Sequence, residues 1–184
     1  NLKSISIEVK GSLADLDISP LQIAILKGIF SSVTEGVNYV NAPVIAKQRG
    51  INVVTSKSQK DCTYIGSITV KLLTDEDEQT VTGALIAEHM PRIVAINEHK
   101  MSIEPDEHML IIPHVNQPGM IAKVATVIGK DNVNISRMHV AKNTNEDPIS
   151  IMLINTDSKV EGDTLKEITQ IDGIKDAKYI HLDA

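Results

Sequence analysis

A chain of 184 residues with 42% hydrophobic and 23% charged residues has room for one or two globular domains. It is too apolar to stay unfolded, because it can bury enough surface to offset its ordering entropy. The net charge of −6, from 18 basic and 24 acidic residues, argues against a nucleic-acid binder. Aromatics are only 2% of the chain, at Phe30, Tyr39, Tyr64 and Tyr179, so platforms for base or sugar stacking are nearly absent.

No apolar run approaches the roughly 20 residues needed to span a bilayer. Cys62 is the single cysteine, which excludes an internal disulfide and fits a reduced, cytoplasmic thiol. The chain begins at Asn1, not Met, without a signal-peptide pattern, as a fragment of a longer protein would.

Lys3 to Lys10 alternates polar residues with Ile5, Ile7 and Val9, which predicts a half-buried strand ended by Gly11. Ser19-Pro20-Leu21-Gln22 predicts a helix start, with Ser19 as N-cap, Pro20 in the first turn and Gln22 completing a capping box. Leu21, Ile25, Gly28, Ile29 and Ser32 follow at helical spacing. A short second helix is expected from Ala42 to Gln48, with Pro43 near its start and Gly50 as its stop. Strands are expected at Ile51–Lys57, from Tyr64 to Leu72, at Thr80–Ala87, Ile93–Asn97 and Met101–Glu104. Thr74 to Glu78 is an acidic turn without the glycine and glutamate spacing of a calcium loop.

From His108 onward the pattern is βαββαβ, the order of the ferredoxin-like split-βαβ unit. Its strands are His108–Asn116, Asn132–Ala141, Ile149–Asn155 and Ile174–Leu182. Its helices start at Gln117-Pro118-Gly119 and around Leu165, Ile168 and Ile171, the second stopped by Gly173. A turn is expected from Asn143 to Pro148. The fold class is therefore α+β: a β-rich first domain with two helices, residues 1–106, then a ferredoxin-like domain, residues 107–184.

Catalytic signatures are missing. The sequence holds neither G-x-G-x-x-G nor a P-loop, and no G-x-S-x-G elbow. The six histidines, at 89, 99, 108, 114, 139 and 181, have no zinc-site spacing, so no metal is expected. The residues read as a binding or regulatory module with no catalytic residue.

His114-Val-Asn-Gln-Pro-Gly-Met120 is the most ligand-like stretch. Pro118 and Gly119 at a helix start leave backbone N–H groups unobstructed, and a helix N-terminus attracts a carboxylate. Asn116, and Asn134 in Val133-Asn134-Ile135, offer side-chain oxygens to an ammonium. That combination suits a small amino acid. The same two asparagines equally suit a helix cap and a turn.

His108 to Leu182 resembles an ACT domain, a small amino-acid-sensing module, through His114 to Gly119, Asn132-Val-Asn-Ile135 and Ile151-Met-Leu-Ile-Asn-Thr156. Gly36-Val-Asn-Tyr-Val-Asn-Ala-Pro-Val-Ile-Ala-Lys-Gln-Arg-Gly50, with Arg92 to Asn97 further on, resembles the intervening, allosteric-substrate-binding domain of the long-form D-3-phosphoglycerate dehydrogenase family. The resemblance covers essentially the whole chain. It implies the regulatory end of an NAD-dependent oxidoreductase that opens L-serine biosynthesis, with NAD and the catalytic groups in a part not present here. It implies a homo-oligomer in which two ACT domains pair and bind L-serine between them. Effector contacts then fall on His114, Asn116 and the backbone at Gly119 and Met120, with Asn134 coming from the second copy. His114 matches only some members, where others carry Tyr.

The resemblance also implies a phosphate or 3-phosphoglycerate site on the first domain at Arg92 and Lys100, with His99 beside them. Glu104 departs from that pattern, standing where some members carry Arg. Two other readings compete. One is the ACT-bearing subunit of an iron–sulfur L-serine dehydratase, which would carry a Ser/His-rich anion stretch near its start. The other is a dimerisation module with no effector.

Overall fold

The computed structural model describes residues 1–59, 63–142 and 148–182. Cys62 and most of the turn expected at Asn143–Pro148 lie outside them. The chain divides into two compact units, Asn1–Pro91 and Arg92–Ala184.

In the first unit, strand β1 (Leu2–Gly11) pairs in parallel with β2 (Asn52–Ser58) and antiparallel with β3 (Gly66–Thr74), which pairs antiparallel with β4 (Glu78–Ala87). The alternation seen in the sequence buries Ile5, Ile7 and Val9 against Leu26 and Phe30 of α1 (Ser19–Ser31) and Ala42 and Ala46 of α2 (Ala42–Gln48). Each such side chain contributes roughly 1.5–3 kcal/mol by leaving water.

The start of α1 differs from expectation. Ile18 occupies the cap position, and Ser19 lies inside the helix. Asp17 supplies the acceptor instead: its Oδ1 takes the Ser19 N–H at 3.0 Å and the Ser19 hydroxyl at 2.7 Å. The Gln22 N–H donates to the Ile18 carbonyl at 2.9 Å. Helix α2 stops as expected. Gly50 turns left-handed at φ +66°, and the N–H groups of Gly50 and Ile51 close onto the carbonyls of Lys47 and Ala46.

In the second unit, β7 (His108–Val115), β8 (Ile135–Lys142), β9 (Ile149–Thr156) and β10 (Lys178–His181) form an antiparallel sheet in the order β10-β7-β9-β8. Helices α3 (Met120–Lys130) and α4 (Gly162–Thr169) cover one face. Leu110, Ile112, Met152 and Ile154 meet Val124, Val127, Ile128 and Ile168 there. This is the ferredoxin-like arrangement of the expected ACT domain.

The opposite face is covered too. Strand β5 (Met90–Ile96) crosses the boundary between units and forms a hairpin with β6 (His99–Ile103). Ile96, Met101 and Ile103 pack on Met109, Ile151 and Leu153. Burial on both faces explains the unbroken apolar run of β9, whose residues from Ser150 to Thr156 are all buried. It also explains why the compact units divide after Pro91, whereas the sequence places a boundary after Asp106. The hairpin reads as one more β element of the first region, yet its apolar face belongs to the second core.

Candidate functional site

The loop after β7 is built by its backbone. The N–H of Val115 donates to the Gly173 carbonyl, and that of Asn116 to the Pro148 carbonyl, both at 2.8 Å. Gly119 then turns left-handed at φ 86° and occupies the N-cap of α3, with no side chain capping the helix. Asn116 therefore does not cap it. The N–H groups of Met120 and the next residues have no intrahelical acceptor and carry the helix's partial positive charge. Asn116 is exposed and Met120 buried, so Met120 offers a ligand its N–H while its side chain fills the core.

His114 is 2% exposed and projects to the helix face. Its Nδ1 is 2.9 Å from the Val115 carbonyl. A carbonyl only accepts, so Nδ1 carries the proton and, in the neutral ring, Nε2 is an acceptor. That Nε2 is buried and has no partner among the described residues. It suits an ammonium or hydroxyl donor and not a carboxylate.

Ser150 stands directly across from His114 in the β7–β9 pair. Its hydroxyl is likewise buried and unpartnered among the described residues. Sequence reasoning missed Ser150, because only strand register brings it beside His114. Two buried polar atoms on one face, next to a bare helix start, are groups that a polar ligand can pair with.

Asn134 lies elsewhere. Its side-chain amide donates to Asp157 Oδ2 at 2.7 Å and its backbone carbonyl accepts the Asp157 N–H at 3.0 Å. Its side-chain oxygen can accept from a ligand. The left-handed turn residue nearby is Asn132, at φ 57°. Strand register fixes the separation: Val115 pairs with Ile149 and Ile135 with Thr156. These partners are the two ends of the 8-residue β9, roughly 23 Å apart at about 3.3 Å per residue. Asn116 and Asn134 of one chain therefore cannot touch one small ligand.

The anion cluster expected in the first domain lies on the β5–β6 hairpin. Arg92, His99 and Lys100 fall in the second unit, and the adjacent His99 and Lys100 take opposite sides of β6. His99 is 7% exposed, its Nε2 donates to the Ile149 carbonyl at 3.1 Å, and its Nδ1 is buried. It ties the hairpin to β9. Lys100 follows it on β6 and is exposed on the other side of the strand. Arg92 pairs with Glu104 at 3.4 Å, and Glu104 also meets Arg137 at 3.3 Å. Arg137 in turn pairs with Asp106 at 3.4 Å. Two carboxylates thus stand against two guanidiniums here.

No helix is long and apolar enough to cross a membrane among the described residues.

Comparison with known proteins divides the chain later than the compact units do. Residues 1–97 match the model of the D-3-phosphoglycerate dehydrogenase intervening domain and residues 108–173 that of the ACT domain. Among curated proteins, the D-3-phosphoglycerate dehydrogenase of Synechocystis sp. is 36% identical over 95% of this chain and 32% of its own length. That of Methanocaldococcus jannaschii is 34% identical over 94% and 32%, and that of Bacillus subtilis 31% over 98% and 34%. The chain thus spans about a third of the length of the curated relatives it matches. With the first match alone covering more than half of its 184 residues, the chain belongs to the D-3-phosphoglycerate dehydrogenase intervening-domain family, joined to an ACT domain as in that enzyme's regulatory part.

Proposed function

We propose that this chain is the regulatory part of a D-3-phosphoglycerate dehydrogenase, and that its ACT domain binds L-serine between two copies of the chain. On this reading the whole protein oxidises 3-phosphoglycerate with NAD, and the nucleotide site lies in the part that the relatives' remaining length represents. The single observation that carries the shared site is the separation of Asn116 and Asn134. They sit at opposite ends of β9, so a ligand that uses both must draw them from two chains. A two-fold axis then makes two equal sites. Strand β8 is an edge of its sheet and offers unpaired backbone groups to a second copy.

Within each site the serine carboxylate takes the free N–H groups at the start of α3. Its ammonium lies between the oxygens of Asn116 and the second copy's Asn134. The Nε2 of His114 accepts from the ammonium or the ligand hydroxyl, and Ser150 completes the polar floor. Neither sequence motif holds an aromatic residue, which favours a small polar ligand over an aromatic one.

Calorimetry with L-serine on the purified chain tests this, together with Asn116→Ala and Asn134→Ala. Each variant loses roughly two- to hundredfold in affinity, the worth of one such hydrogen bond. The mixed sample decides the geometry. A dimer of one Asn116→Ala chain and one Asn134→Ala chain has one intact site and one doubly damaged site. With random re-pairing about half the dimers are mixed, so parent-like affinity at about a quarter of all sites is expected; a mixture as weak as its components refutes a shared site.

A further inference from the structure

At the opposite end of β7 from the effector loop, three potential metal ligands come together. His108 and His181 stand directly across from one another in the antiparallel β7–β10 pair, with their rings stacked at 5.5 Å. Glu107 precedes His108, and its Oε1 lies 3.7 Å from His108 Nε2. One ligand atom from each of Glu107, His108 and His181 lies within 4.8 Å of the others. The Leu182 N–H donates to the Glu107 carbonyl at 3.0 Å, which holds the two chain segments side by side here.

The cluster has an orienting contact as well. His108 Nδ1 is 2.6 Å from the Tyr179 hydroxyl. The contact commits Nδ1 and leaves Nε2 as the ligand atom, facing Glu107.

We propose that Glu107, His108 and His181 form a binding site for a divalent transition-metal ion of the zinc type, with a fourth position open to water. Ligand atoms about 2.0–2.2 Å from such an ion stand roughly 3.4 Å apart in tetrahedral geometry. The 3.7 Å between Glu107 and His108 already approaches that spacing, and small rotations of the exposed His181 complete it. Two imidazoles and one carboxylate suit zinc over calcium or magnesium, which prefer all-oxygen shells. With the ion on Nε2, His108 Nδ1–H donates to the Tyr179 oxygen, the outer hydrogen bond that metal-bound histidines make. The site does not depend on the serine reading.

Titration of the chain with ZnCl2 in a non-chelating buffer, followed by calorimetry, tests it. One ion per chain is expected. His181→Ala and His108→Ala each weaken binding at least tenfold, and Tyr179→Phe weakens it by about tenfold through the lost outer contact. The Glu88→Ala/His89→Ala variant removes a second Glu–His pair, exposed and 3.9 Å apart, and leaves binding unchanged. No zinc uptake by the parent, or uptake that survives in the His108→Ala/His181→Ala variant with its circular dichroism intact, overturns the proposal.

Discussion

Gly173 sits where the second helix's exit meets the effector loop, and its replacement by alanine separates two glycine roles. Its φ of +93° is left-handed, and a Cβ there would lie 2.9 Å from Gln117 Nε2, 3.3 Å from Met120 Cε and 3.4 Å from Met120 Sδ. An L-residue in that conformation costs about 1–2 kcal/mol. Gln117 is exposed and can swing away. Met120 is 1% exposed and packed in the core, so it yields less readily and adds to the cost. Gly129 is the control. It lies in α3, its φ is not positive, and nothing stands within 4 Å of its would-be Cβ. Alanine there stabilises by about 0.5–1 kcal/mol, because glycine loses more backbone freedom on folding. At roughly 2–4 °C per kcal/mol for a chain of this size, thermal denaturation followed by circular dichroism should show Gly173→Ala lower by about 2–8 °C. Gly129→Ala should be higher by about 1–4 °C. A Gly173→Ala protein as stable as the parent, or a Gly129→Ala protein that falls below it, would refute the reasoning.

Ser150→Ala should leave stability unchanged or raised in the absence of ligand, since it removes a buried hydroxyl without a described partner, a group worth about 1–3 kcal/mol of penalty; a clear loss in urea denaturation would mean that the hydroxyl is bonded in solution. Ile154→Ala, at a fully buried position, should cost about 2–5 kcal/mol, while Ile121→Ala, 49% exposed on α3, should stay within about 0.5 kcal/mol. Asp17 gives a pH test. The Ser19 hydroxyl first, and its N–H second, hold the Asp17 carboxyl below its ordinary 3.8. A depressed carboxylate contributes stability above 3.8 that is lost as pH falls through the lowered value. NMR titration should find its midpoint below 3.8 and moved upward in Ser19→Ala; an unmoved midpoint would count against the cap.

Much of the fold is legible in the sequence because its causes are local. Alternation at Ile5, Ile7 and Val9, Pro43 early in α2, and glycines at 50, 119 and 173 where the backbone turns left-handed are each decided by a residue and its near neighbours. The helix start after β7, with bare N–H groups, belongs to that class. The cap of α1 does not follow the motif, since Asp17 out-competes Ser19 as an acceptor.

What the site does with those elements was decided only in three dimensions. Register set Ser150 beside His114, put Asn116 and Asn134 at opposite ends of β9, and laid His181 across from His108. It turned His99 inward while Lys100 faced out, and the fold brought Glu104 onto both Arg92 and Arg137. Histidine spacing along the chain gave no metal motif for the same reason. Local propensity chooses a strand or a helix, whereas the partner across a strand is chosen by the burial of a whole face, and that sum runs over residues far apart in the chain.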